Sequence, residues 1–206
     1  MKKTNRWLYA IVGCAVLLSG LVYAWSVLSG PIAAEFPQWS AAQLSLTFTI
    51  VMSFFCVGGL VGGLLSGKVS QKVYLWVPAA LFLAGFLLTA NIKLILMLYI
   101  GSGVICGFAS GLSYNAVLGT VGKWFPDKQG LISGILLMGF GISSFLIGKL
   151  YQVCTPDAIG AWRRSFIVLG VVSAVVMAIC GIRDYTPLPG LILGGGLGML
   201  MPPSQE

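Results

Sequence analysis

The chain is 206 residues long, 58% of them hydrophobic and only 8% charged, where an ordinary soluble domain carries about a quarter charged residues. Too little polar surface exists to clothe a water-soluble globule, so length is better counted in apolar spans of roughly 20 residues than in globular domains. The formal charge of +7 does not mark a nucleic-acid binder: Lys and Arg stand singly between apolar stretches, with no basic face and no His, a scatter that fits a membrane-topology signal.

Lys2, Lys3 and Arg6 open the chain as a signal peptide would, but residues 7–34 are uncharged and too long for its apolar core, and they read as a first span. Charged residues then delimit apolar segments at 41–66, 73–92, 94–121, 131–148 and 165–182. Six helical spans follow, because backbone in lipid must satisfy its own hydrogen bonds and the short alternating strands of a barrel are absent. With alternate loops on opposite sides, Lys2, Lys3, Arg6, Lys68, Lys72, Lys123, Lys128 and Arg183 share one side, and Lys93, Lys149, Arg163 and Arg164 the other. Eight of the twelve basic residues thus place both ends of the six-span unit in the cytoplasm. Arg163 and Arg164 are the dissent.

Five cysteines, at 14, 56, 106, 154 and 180, lack the paired spacing of a zinc or redox site; they are expected to be inert buried thiols. Gly20-Leu21-Val22-Tyr23-Ala24 in span one is echoed by Gly111-Leu112-Ser113-Tyr114-Asn115 in span four. As these spans run in opposite directions, a three-span repeat would be inverted in the membrane. Glycines recur at four-residue spacing, Gly58 and Gly62 with Gly59, Gly63 and Gly67 in span two, and Gly103, Gly107 and Gly111 in span four. Small residues on one face let helix backbones approach closely in lipid.

No Asp, Glu, Lys or Arg lies at mid-depth, Glu35 and Lys149 being near span ends, so there is no intramembrane proton relay in these spans. Zero His and no acid or base beside a buried Cys argue against an enzyme; no catalytic residue, metal ligand or cofactor is expected. What remains large and polar at depth is Tyr23, Trp25, Tyr114 and Asn115. These either line a cavity and donate to a small polar ligand, or are packed and hydrogen-bonded internally. In the loop Lys123-Trp124-Phe125-Pro126-Asp127-Lys128-Gln129-Gly130, Pro126 should end the fourth helix and Asp127 cap the fifth, with Trp124 and Phe125 at the membrane interface. After Arg183, Pro187 and Pro189 break the sixth helix, and an apolar Gly-rich tail too short to span runs to Glu206. It reads as a truncated or altered end or as an interfacial segment.

Tyr23-Ala24-Trp25-Ser26 with Pro31, Trp39-Ser40 with Gln43-Leu44, Tyr114-Asn115, and the Trp124-Phe125-Pro126-Asp127-Lys128 turn leading to Gly130 together resemble the oxalate/formate antiporter family of the major facilitator superfamily. The resemblance covers about residues 5 to 186. It departs from the superfamily signature between spans two and three, kept here only as Gly63, Lys68 and Lys72: Gly67 stands where an acid is usual, Ser70 where a second Gly is, and Gln71 where a basic residue is. Gly160-Ala161-Trp162-Arg163 carries one residue more than the family's Gly-Trp-Arg before span six.

The resemblance implies an all-α membrane protein: residues 1–186 as the amino-terminal six-span half of a major facilitator fold, built of two inverted three-helix repeats, and 187–206 as an atypical tail. It implies a multi-pass protein of the cytoplasmic membrane that carries a small mono- or dicarboxylate by alternating access. Tyr23 and Tyr114 would match cavity-lining aromatics, and the anion-binding cations would belong to a second half outside this chain. The expected partners are the lipid bilayer, the carboxylate, and a second six-span half or another copy. The rival is a membrane assembly subunit without transport of its own.

Overall fold

The computed structural model describes residues 25–66, 68–125, 128–154 and 160–182, and among these the regular structure is helical throughout. Among the described residues six helices run in order: α1 Trp25–Glu35, α2 Ala41–Leu65, α3 Gln71–Ala90, α4 over residues 95–124, α5 Gln129–Cys154 and α6 Trp162–Ile182. Each expected span coincides with a helix to within a few residues; the start of the first, the echo at Gly20–Ala24 and the tail lie outside the described residues. Among the described residues three stretches, Ala41–Leu65, Val73–Ala90 and Ile95–Gly119, are long and apolar enough to cross a membrane, with a shorter apolar stretch at Gln129–Gly139. The 25 residues of α2 extend about 37 Å at 1.5 Å per residue, more than a hydrocarbon core of about 30 Å.

Helix α3 packs along α6, α2 along α4, and α3 along α4 nearly as extensively as along α6. Glycine makes the second pair possible. A methyl group on Gly58 would come within 2.2 Å of the Phe108 carbonyl oxygen, one on Gly107 within 2.6 Å of the Val51 carbonyl oxygen, and one on Gly111 within 2.2 Å of the Phe55 carbonyl oxygen. The four-residue glycine rows read from the sequence therefore meet each other backbone to backbone. The α3–α6 pair is held by aromatic rings instead. Phe82 and Phe86 stack at 6.0 Å, Phe86 meets Phe166 edge-on at 5.9 Å, and Phe166 meets Trp162 edge-on at 5.5 Å. Gly170 admits this column, since a methyl group there would lie 2.7 Å from Phe86 Cβ.

The fourth helix is not uniform. A single turn, Ile95–Leu98, leads into a π-helical stretch, Tyr99–Cys106, and then into regular α-helix, Gly107–Trp124. The wide turns lie where Gly101 passes Gly85 of α3, a methyl on Gly85 being 2.8 Å from the Gly101 carbonyl oxygen. Further along, Gly107 and Gly111 face α2. Widening the helix between two contacts lets its small residues serve both neighbours.

Two sequence expectations change. Phe125 is 4% exposed and belongs to the core instead of the interface, because the turn folds back, Lys128 N donating to the Phe125 carbonyl at 3.1 Å. Cys56 is exposed on α2, while Cys106 is buried as expected; Cys14, Cys154 and Cys180 are not described at the side-chain level. The fifth and sixth helices begin earlier than their apolar runs, at Gln129 and Trp162. The exposed Leu60, Leu64, Met138 and Phe145 are 62–66% accessible, an apolar surface suited to lipid.

Candidate functional site

Helix ends define two poles. The α2–α3 turn with Lys68 and the α4–α5 turn with Lys128 occupy one; the ends of α1 and α3 and the start of α6 occupy the other. Contacts at the second pole fix this pairing. Glu35, the last residue of α1, accepts from Arg163 Nη2 at 2.6 Å and from Trp162 Nε1 at 2.5 Å, while Arg163 Nη1 donates to the Ala90 carbonyl at the end of α3 at 3.0 Å. The Arg163 guanidinium also lies 4.9 Å from the Trp162 ring centroid. Gly160, the positive-φ residue among those described, at φ 81°, makes the turn that presents both side chains. Sequence reasoning missed this cluster: its partners stand 128 residues apart, and only the anomalous position of Arg163 pointed to it.

A groove of about 620 Å3 opens between α1 and the first turns of α2, lined by Trp25, Ser29, Gly30, Ala33, Ala41, Leu44, Ser45 and Phe48. That volume falls in the range of small-molecule pockets. Its α1 wall presents residues 25, 29, 30 and 33 and its α2 wall 41, 44, 45 and 48, each set on one helical face. At its floor Trp25, 7% exposed, donates Nε1–H to the Leu44 carbonyl at 3.1 Å. The indole donor is engaged with α2, and the ring shapes the groove. Ten residues from Glu35, Trp25 sits about 15 Å inside that pole.

Behind Trp25 a small cavity of about 30 Å3 is bordered by Val51, Phe82, Phe86, Ser102, Cys106 and Ser110 among others. Ser110 Oγ and Thr47 Oγ1 are the buried side-chain oxygens without a partner among the described residues. Tyr114 and Asn115 lie one turn beyond Ser110. The Tyr114 ring is tilted against Phe55 at 5.9 Å, and Asn115 Nδ2 reaches back to the Gly111 carbonyl at 3.4 Å. The Asn115 amide lies in the α2–α4 seam, where a methyl group on Gly59 would be 3.2 Å from its nitrogen. Trp25 lines both the groove and the small cavity behind it, and neither lining includes Tyr114 or Asn115. Tyr23 lies outside the described residues.

At the Lys68 pole, Tyr74 OH donates to the Gly62 carbonyl, one of the acceptors that a helix end leaves free. Gly63 borders open space, and Lys68, Lys128 and Gly130 are exposed. Lys72 and Trp124 are described as helix backbone, while Gly67, Pro126 and Asp127 lie outside the described residues. Among the described residues no group of His, Cys, Asp and Glu could hold a metal ion.

Comparison with known proteins places this geometry. The profile of the Major Facilitator Superfamily matches residues 8–196. A relative from Escherichia coli K12, the uncharacterized MFS-type transporter YhjX, is 28% identical over 179 residues, which are 86% of this chain and 43% of that protein. The oxalate:formate antiporter of Oxalobacter formigenes is 25% identical over 177 residues, 84% of this chain and 41% of the antiporter. Human monocarboxylate transporter 11 is 34% identical over 89 residues, 43% of this chain and 18% of that transporter. The xylose transporter XylE of E. coli in its inward-open conformation superposes with a TM-score of 0.70 at 16% identity, over 96% of this chain and 52% of XylE. The chain therefore has the fold of about half of such a transporter and spans less than half the length of these curated relatives.

Proposed function

The chain belongs to the major facilitator superfamily, and from that premise we propose that residues 1–186 form the amino-terminal half of a secondary transporter for a small mono- or dicarboxylate. The observation that carries the substrate class is the likeness, over more than four fifths of the chain, to an oxalate:formate antiporter, joined by the monocarboxylate transporters. The apolar helices and the family make this a multi-pass membrane protein. We place it in the cytoplasmic membrane with its amino terminus and its Lys68 pole inside, since eight of twelve basic residues then face the cytoplasm.

In this reading the six helices supply one wall of a cavity that opens to each side in turn as two halves rock about it. Tyr23 and Tyr114 present rings and hydroxyls to the carboxylate, Asn115 offers its amide, and Trp25 shapes the wall. No cation of this chain lies at mid-depth, so the positive charge that offsets the carboxylate in low dielectric comes from a separate second half, whereas another copy would complete the cavity without adding such a cation. The turns carrying Gly63, Lys68 and Lys72, and Trp124, Phe125, Pro126, Asp127, Lys128 and Gly130, form the inner ends that move.

Exchange of labelled oxalate and formate in proteoliposomes tests this. The chain alone should give background exchange. Co-reconstitution with the carboxyl-terminal half of the oxalate:formate antiporter should raise it at least tenfold, and Tyr114→Phe should reduce that signal. Absence of carboxylate exchange in the paired preparation, with both halves folded and associated, would instead support a non-transporting assembly subunit.

A further inference from the structure

We propose that Glu35 and Arg163 are positioning residues that fix the α1 wall of the α1–α2 groove, an inference that rests on reading this groove as part of the carboxylate pathway. The groove has two unequal walls. Its α2 wall belongs to a helix joined along its length to α4 through the glycine seam, with Gly58, Gly107 and Gly111 in backbone contact. Its α1 wall has little of this kind. Among the described residues α1 makes far fewer contacts with its neighbours than α2 makes with α4. Pro31 lies within it, removing one donor from the backbone ladder. Leu28 and Ile32 seat it in the core, and two long-range side-chain hydrogen bonds fix its ends. One is Trp25 Nε1 on the Leu44 carbonyl at 3.1 Å, at the groove floor; the other is the Glu35 carboxylate ten residues on.

That carboxylate is held from two directions. Arg163 Nη2 and Trp162 Nε1 engage its two oxygens separately, at 2.6 and 2.5 Å, and Arg163 is itself anchored on the Ala90 carbonyl. Trp162 is 1% exposed and locked into the α3–α6 ring column. The clamp thus ties the carboxyl end of α1 to the ring-packed α3–α6 pair. Its charges suit their places: the guanidinium lies at the carbonyl end of α3, and the carboxylate at the amino end of α6. Planar, two-nitrogen recognition is a property of Arg that Lys lacks, since a single ammonium cannot hold Ala90 and Glu35 in the same fork geometry. Ala33, one helical turn inside from Phe36 and two residues from the clamp, lines the groove, so releasing Glu35 frees the wall itself.

Nitroxides attached at Gly30→Cys and Ser45→Cys, in a background without the native cysteines, report across the groove; both residues are exposed and a side chain on Gly30 meets nothing within 4 Å. With the clamp intact the distance distribution should be single and narrow. Glu35→Gln and Arg163→Gln should each at least double its width, Arg163→Lys should give an intermediate width, and the reversed pair Glu35→Arg with Arg163→Glu should narrow it again. Monodisperse elution of each variant establishes folding, and the milder Arg163→Lys keeps the test available if a Gln variant fails to fold. An unchanged width in Glu35→Gln, or no narrowing on reversal, overturns the proposal. In paired proteoliposomes the same Gln variants should raise KM about fivefold or more with turnover within twofold. An unaltered KM where exchange is measurable overturns the link to the pathway, whereas absence of exchange in the unmutated pair refutes the transport reading and leaves the distance result standing.

Discussion

A methyl group at residue 111 would lie 2.2 Å from the Phe55 carbonyl oxygen and 2.6 Å from the Gly59 amide nitrogen. Both are backbone atoms, so α2 and α4 must separate to admit it, and Gly111→Ala is expected to lower stability by about 1–3 kcal/mol. Gly63→Ala, with nothing within 4 Å, should leave the detergent melting temperature unchanged or raise it slightly through helix propensity. Equal losses in both variants would contradict the seam. Tyr74→Phe leaves the Gly62 carbonyl without its donor and should cost on the order of 1 kcal/mol in the same assay, the usual size of a hydrogen bond between membrane helices. At this scale the sequence was uneven in what it disclosed. The glycine rows were legible because close packing in lipid demands small residues at a fixed period. Glu35 was legible only as an acid near a span end, because a long-range ion pair leaves no periodic trace. Trp25 and Tyr114 stood out by chemistry alone, and nothing in their spacing told that the indole N–H is engaged with Leu44 or that Tyr114 packs on Phe55.

Among elements, α2 shows how a start signal in sequence becomes a helix end. Ser40 Oγ accepts from Gln43 N at 3.2 Å while the Gln43 side chain accepts from Ser40 N at 2.9 Å, a reciprocal capping box. Phe36 and Trp39 stack at 4.1 Å just before it. Ser40→Ala should therefore cost about 1 kcal/mol, measured by thermal unfolding in detergent, with Ser40→Asp close to neutral. The helix pattern as a whole was readable because charged residues and turn residues bracket each apolar run. The π-helical stretch was not, since Gly, Ser and Val over Tyr99–Cys106 are compatible with either helix type. Its cause is tertiary, the need of α4 to meet α3 and α2 with different faces. Phe125 illustrates the same limit: its composition suits an interface, and the fold-back of the turn buries it.

For the molecule, the fold of the family carries the expected relation of spans one, two and three to four, five and six. That relation maps the α3–α6 pair onto itself and the α2–α4 pair onto α5–α1, and α1 does touch α5 among the described residues. The helical half-fold was readable from span count and charge bracketing, whereas the echo of Tyr23 in Tyr114 lies outside the described residues. Its working arrangement was not, because no cation among these spans marks where a carboxylate would bind. The central claim is a bundle whose successive helix ends alternate across a bilayer, with the Lys68 pole inside. Single cysteines at Ser40, Ser70, Leu94, Lys128 and Ala161, in a background free of native cysteines, can be probed with a membrane-impermeant maleimide on sealed right-side-out vesicles. The account predicts labelling at Ser40, Leu94 and Ala161 from outside, and at Ser70 and Lys128 only after the membrane is opened. Labelling of Leu94 and Lys128 from the same side would contradict it.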